Sequence, residues 1–176
     1  MRLTVNGMRR EVVSPPLSSL LQVLREELGV TSPKAGCQQG GCGACTVLVD
    51  GRPRRACLTA LAVADGAEVT TVEGLGAPTE LAAVQAAFDQ RYAAQCGFCT
   101  SGMLMAAHAL VQRGGGRDRT EVIEALSGHV CRCTGYVKIV DAVTAAAAGD
   151  VRPQDAEPDM SPRDEEAVTA LPGSPA

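Results

Sequence analysis

Eight cysteines are the residues of this 176-residue chain best suited to chemistry, and they fall into two sets of four. Cys37, Cys42 and Cys45 form a C-x4-C-x2-C run, and Cys57 follows after eleven further residues. That is the spacing of a [2Fe-2S] loop. Four thiolates must converge on a small anionic cluster from a segment too short for regular structure. Gly36, Gly40, Gly41 and Gly43 let the backbone turn and bring its N–H groups close to the sulfurs. Those donors stabilise negative charge and so tune the reduction potential. A structural zinc knuckle is the alternative, although zinc sites usually show two C-x2-C pairs. The second set is Cys96-Gly97-Phe98-Cys99 with Cys131-Arg132-Cys133. C-x2-C is a common zinc pair and C-x-C a less typical one, so the pattern favours iron–sulfur here and leaves zinc open. Buried inert thiols are seldom clustered in pairs like these.

The elements that must position these cysteines change character near residue 77. Leu3-Thr4-Val5, Asn6-Gly7 and an extended run around Glu11-Val12-Val13 read as a hairpin. Ser18 or Ser19 can cap a helix through Leu20, Leu21, Leu24 and Leu28, which Gly29 stops. Thr46–Val49, a turn at Asp50-Gly51, Arg54–Cys57 and Glu68–Val72 supply further strands. The expected fold class is α+β: a β-grasp, ferredoxin-like domain over residues 1–76, then a four-helix bundle over 77–149. The bundle's first helix is expected from a Thr79 cap to about Ala93, and the second from about Ser101 to Gln112. The third follows a Thr120 cap, and the fourth runs from Tyr136 to about Ala148. Cys96 and Cys99 then join the first two helices and Cys131 and Cys133 the last two, at one end of the bundle.

Composition excludes several classes. The net charge is −4 and aromatics make up 2% of the chain, with no basic stretch that interleaves them, which argues against nucleic-acid binding. No apolar run reaches the length of a membrane span. Met1-Arg2 leads straight into a strand-like segment, so no secretory signal is read and a cytoplasmic location is expected. Eight cysteines without such a signal speak for metal rather than a disulfide framework. Residues 150–176 carry seven acidic residues, two arginines and half of the ten prolines, for a net charge of −5. This acidic tail is expected to be disordered or to wrap a partner.

Three blocks carry a resemblance: Gly36-Cys37-Gln38-Gln39-Gly40-Gly41-Cys42-Gly43-Ala44-Cys45-Thr46-Val47, Gln95-Cys96-Gly97-Phe98-Cys99-Thr100 and Cys131-Arg132-Cys133-Thr134-Gly135-Tyr136. With them the chain resembles, from about Leu3 to Ala148, the small iron–sulfur subunit of the molybdenum hydroxylases of the xanthine dehydrogenase and aldehyde oxidase type. The resemblance implies two [2Fe-2S] clusters, with Cys37, Cys42, Cys45 and Cys57 holding the one nearer a flavin. Cys96, Cys99, Cys131 and Cys133 would hold the one nearer molybdenum. It also implies electron transfer from a molybdenum-pterin cofactor on a large subunit to FAD on a medium subunit, during oxidation of an N-heterocycle or aldehyde. The expected assembly is a dimer of heterotrimers, and the chain is not expected to be catalytic alone. Gln95 is expected to reach the pterin. A free-standing two-cluster electron carrier and a zinc-stabilised interaction module are the other classes.

Other residues have plainer readings. Ser101 replaces the family's usual proline and is expected to cap its helix. His129 stands where the family often has asparagine, and reads as a loop residue making one hydrogen bond rather than a ligand. His108 has no partner that the sequence identifies. Arg52, Arg54 and Arg55 read as a solvated turn, with contact to a partner subunit as the alternative, and Met103 and Met105 as bundle core.

Overall fold

Two tight turns set the register of the sheet. Asn6 and Gly7 have φ of 50° and 77°, and Asp50 and Gly51 have 49° and 73°. Positive φ at both central residues is what a two-residue type I′ hairpin loop requires. The first turn joins β1 (Arg2–Val5) to β2 (Met8–Glu11), with Val5 opposite Met8. The second joins β3 (Thr46–Val49) to β4 (Arg52–Arg55), with Val49 opposite Arg52. β5 (Glu68–Thr70) lies parallel to β1 and antiparallel to β3, so the order is β2-β1-β5-β3-β4. The architecture is read from a computed structural model that describes residues 1–77 and 79–152. The acidic tail beyond Arg152 lies outside the described residues.

The second strand lies earlier than the apolar run Val12-Val13 suggests. A two-residue loop after Val5 leaves no room to begin pairing later than Met8. Val12 is buried just past the strand, while Val13 is exposed. The helix after the hairpin forms as expected. α1 (Leu20–Gln22) is capped by Ser19, whose hydroxyl accepts from the Gln22 N–H, and a π-type turn over Val23–Glu27 continues it. Its Leu20, Leu21, Val23 and Leu24 are buried in one cluster with Leu3, Val5, Val47 and Val69 of the sheet.

Four further helices follow: α2 (Ala83–Gln90), α3 (Thr100–Gln112), α4 (Arg119–Leu126) and α5 (Val137–Ala148). They share a second apolar cluster that includes Val84, Phe88, Met103, Val122, Ile139 and Val143. Their starts differ from those expected. Thr79 does not cap α2; the helix begins after Ala82, whose N–H is taken by Gln85 Oε1 at 3.0 Å. Asp118, not Thr120, caps α4 by accepting from the Thr120 N–H. Ser101 lies inside the first turn of α3, and its hydroxyl is buried without a partner, so it is no cap.

The two clusters meet along α3. Met103 belongs to the helical cluster, whereas Met105 and Ala109 face away from it and pack on Leu48 of β3. Met105 is therefore an inter-unit contact rather than bundle core. Gly102 makes this approach possible, because a Cβ there would overlap the Gly43 carbonyl oxygen. No helix among the described residues is long and apolar enough to cross a membrane.

Candidate metal centres

The first cysteine loop is clamped at its base, where Lys34 N donates to Ala44 O (2.9 Å) and Thr46 N to Gly43 O (3.0 Å). Inside it the backbone turns towards the sulfurs. Cys37 Sγ accepts from Gln39 N (3.4 Å) and Cys42 N (3.3 Å), and Cys42 Sγ accepts from Cys37 N (3.4 Å). Cys37 and Cys42 thus form one pair. The N–H groups, that of Gln39 foremost, bring the Cys37 thiol down to about 6. Cys45 and Cys57 form a second pair: their side chains are hydrogen-bonded, and the Cys57 N–H also donates to Cys45 Sγ. Burial pushes Cys45 up to about 11.

The loops between α2 and α3 and between α4 and α5 bring the other four together. Cys133 Sγ lies 3.6 Å from Cys96 Sγ, and Cys99 is hydrogen-bonded to Cys131. Burial pushes Cys99 up to about 12. Burial acts in the same sense on Cys131, but the Thr134 hydroxyl and N–H outweigh it and leave that thiol at about 7. Tyr136 braces the loop: its hydroxyl accepts from Cys131 N (2.8 Å) and donates to His129 O (3.1 Å). Cys99 is buried, whereas Cys96 and Cys133 are exposed.

Both sites therefore offer two pairs of thiols under backbone N–H groups. A [2Fe-2S] cluster takes two thiolates on each iron, and this donor set fits it. Among the described residues no three His, Cys, Asp or Glu side chains gather around a point suited to a single ion.

Between the sites runs a polar seam that the sequence reading missed. Val130 N donates to Cys42 O at 3.0 Å, one residue before Cys131. Arg55 is not part of a solvated turn. Its Nε donates to Gly40 O (3.4 Å), its Nη1 to Thr46 Oγ1 (2.6 Å) and its Nη2 to Gly128 O (2.8 Å). The available signal was alternation, since Arg55 pairs with Thr46 across the strands and so does not share a face with Arg54. His129 is 4% exposed, with Nε2 at 3.0 Å from Thr46 Oγ1 and 3.3 Å from Arg55 Nη1. Its hydrogen bonds among the described residues go to Thr46 and Arg55 and not to a cysteine sulfur, and Nδ1 has no partner there. Burial, with the Arg55 charge beside it, pushes it down to about 4, so the ring is neutral at pH 7. Gly43 fits beneath it with φ +74°, where a Cβ would meet His129 Cδ2 at 2.5 Å.

Gln95 is exposed next to Cys96, and no hydrogen bond within the described residues holds its amide. His108 is half-buried on α3 with no hydrogen-bond partner among the described residues, and burial lowers its pKa.

Two protein families match the chain, one around each cysteine set. Residues 3–75 match the 2Fe-2S iron-sulfur cluster binding domain, and residues 71–144 match the [2Fe-2S] binding domain. The nicotine 6-hydroxylase small subunit of Paenarthrobacter nicotinovorans is 48% identical over 142 residues, which cover 81% of this chain and 86% of that one. The aldehyde oxidoreductase of Megalodesulfovibrio gigas is 44% identical over 149 residues, 83% of this chain but only 16% of that longer protein. Among solved structures, a chain of quinoline 2-oxidoreductase from Pseudomonas putida 86 superposes with a TM-score of 0.77 at 46% identity, covering 86% of this chain and 98% of that one. Two cluster-binding domains in this order, at this identity and coverage, assign the chain to the small [2Fe-2S] electron-transfer subunits of the molybdenum hydroxylase family.

Proposed function

We propose that the chain passes electrons from a molybdenum-pterin centre on a large subunit, through two [2Fe-2S] clusters, towards FAD on a medium subunit. The reaction served is the oxidation of an N-heterocycle or an aldehyde, the substrate classes that the relatives' names carry. The chain divides into a β-grasp domain (1–76) and a four-helix bundle (77–149), followed by the 150–176 tail. It assembles in the cytoplasm as part of a dimer of heterotrimers and is not catalytic alone. Each cluster, when bound, accepts and releases one electron at a time. Cys37 with Cys42, and Cys45 with Cys57, hold one. Cys96 with Cys133, and Cys99 with Cys131, hold the other.

The carrying observation is the pairing of all eight thiols into two sets bridged by the Val130 N–H to Cys42 carbonyl bond. That bond links the two cysteine loops through a few covalent bonds and one hydrogen bond. Gln95 offers two donors and an acceptor beside the exposed Cys96, which suits a pterin on the large subunit. Phe98, Val130 and Val137 are exposed at 48%, 58% and 59% in or beside the loops that carry the second set. Apolar exposure there supports a permanent subunit over a free carrier, whose transient contacts are small and polar.

The test is iron and sulfide analysis with EPR. Four irons and four acid-labile sulfides per chain are expected, with two distinct signals. Cys42→Ser should remove one signal and Cys131→Ser the other. Zinc in place of iron, or loss of both signals in either variant, would defeat the assignment. Gln95→Ala should leave both signals but slow their reduction by substrate in the complex.

A further inference from the structure

Arg55 crosses the seam between the two cysteine sites. Through Gly40 O and Thr46 Oγ1 it holds both flanks of the first cysteine loop. Through Gly128 O it reaches the loop that leads to Cys131. All its hydrogen-bond partners among the described residues are neutral. The ion pairs among those residues are Arg91–Asp150 and Arg119–Asp141, and Arg55 is in neither.

A half-buried guanidinium held only by neutral acceptors lacks a counter-charge, and an unpaired charge is costly to desolvate. The two cysteine loops that Arg55 ties together would carry thiolates when their clusters are bound. Two ferric ions, two sulfides and four thiolates sum to a dianion. One electron makes it a trianion, with no bond formed or broken. A fixed cation beside it stabilises the reduced form more than the oxidised one.

We propose that Arg55 is the built-in counter-ion of the Cys37/Cys42/Cys45/Cys57 centre, holding its reduction potential up while tying the two cysteine loops together. The effect falls on this centre first. Arg55 touches its loop at two points and lies two residues from Cys57 in the chain, whereas it meets the other site's loop at Gly128 and His129, ahead of Cys131. A higher potential at the first centre makes it the downhill acceptor of electrons leaving the second. The inference rests on the two-cluster reading above.

Redox titration of the full chain, followed by EPR, tests it with two variants that separate charge from hydrogen bonding. Arg55→Gln keeps donors and loses the charge; Arg55→Lys keeps the charge and loses the fork. The signal of the first centre is identified by its loss in Cys42→Ser. A lower first-centre potential is expected in Arg55→Gln, with Arg55→Lys close to wild type and the second centre moved less. An unchanged potential in Arg55→Gln overturns the proposal. So does an equal or larger fall in Arg55→Lys, which would assign the effect to geometry. Should Arg55→Gln fail to load iron, the Arg55→Lys titration decides: a first-centre potential close to wild type supports the charge, and a clear fall overturns the proposal. A wild-type chain with no [2Fe-2S] signals would instead defeat the functional reading itself.

Discussion

Ser101 and Tyr136 stand beside the same cysteine cluster with opposite energetic roles. The Ser101 hydroxyl is buried in the first turn of α3 with nothing to bond. Alanine removes an unsatisfied group and is the better helix former. Ser101→Ala is expected to raise stability by about 1 kcal/mol, read as a Tm increase of about 2–4 °C at a fixed scan rate. Tyr136 bonds both the Cys131 N–H and the His129 carbonyl through one hydroxyl. Tyr136→Phe leaves that N–H unpaired and should cost about 1–3 kcal/mol. The loss is local, so the second EPR signal should decay faster on warming while the first keeps its rate. Equal acceleration of both would show that the brace is not specific to its loop.

At the scale of the element, α3 carries more than its sequence pattern suggests. Met103, Leu104, Ala107 and Leu110 mark one apolar face, yet Ser101 to Ala107, Ala109 and Leu110 are all buried. The additional burial comes from the sheet, through Leu48 against Met105 and Ala109. Gly102 is the closest point, resting on the Gly43 carbonyl. In an ordinary helix Gly→Ala would gain about 1 kcal/mol of propensity. Here the added methyl meets backbone that cannot rotate away, so Gly102→Ala is expected to destabilise by about 1–3 kcal/mol net. Thermal melting at a fixed scan rate measures it. A stabilised variant would mean that the two units separate without cost.

At the scale of the whole molecule, two apolar cores are joined along α3 and by the Arg55 seam, and of the acidic segment's described residues Val151 packs against the edge of the helical core. Beside the half-buried Val151, the last described polar contacts of the chain are exposed: Arg91 with Asp150, and Gln90 with the Arg152 backbone. Exposed pairs of this kind contribute about 0–1 kcal/mol. A chain ending at Gly149 is expected to load both clusters and to change in stability by no more than about 1 kcal/mol. Failure to fold or to take up iron would show that the segment belongs to the folded unit. Failure of complex assembly alone would place its role at a partner.

What could be read in the sequence was local. Turn pairs with positive φ, the helical spacing of Leu20 to Leu28 and the two cysteine patterns are short-range facts, and they were enough for most of the elements and for the two cysteine sets. Positions decided by backbone register or by competing caps were displaced by a few residues, as at Met8, Ala83 and Asp118. Which thiol pairs with which, and what joins the two sites, depended on tertiary contact. Arg55 reads as a surface charge until Thr46, Gly128 and His129 close around it. Ser101 reads as a cap until α3 buries it, and Met105 as bundle core until Leu48 arrives from the other unit. A side chain's partner far along the chain leaves no periodic trace, so only the folded structure decided these.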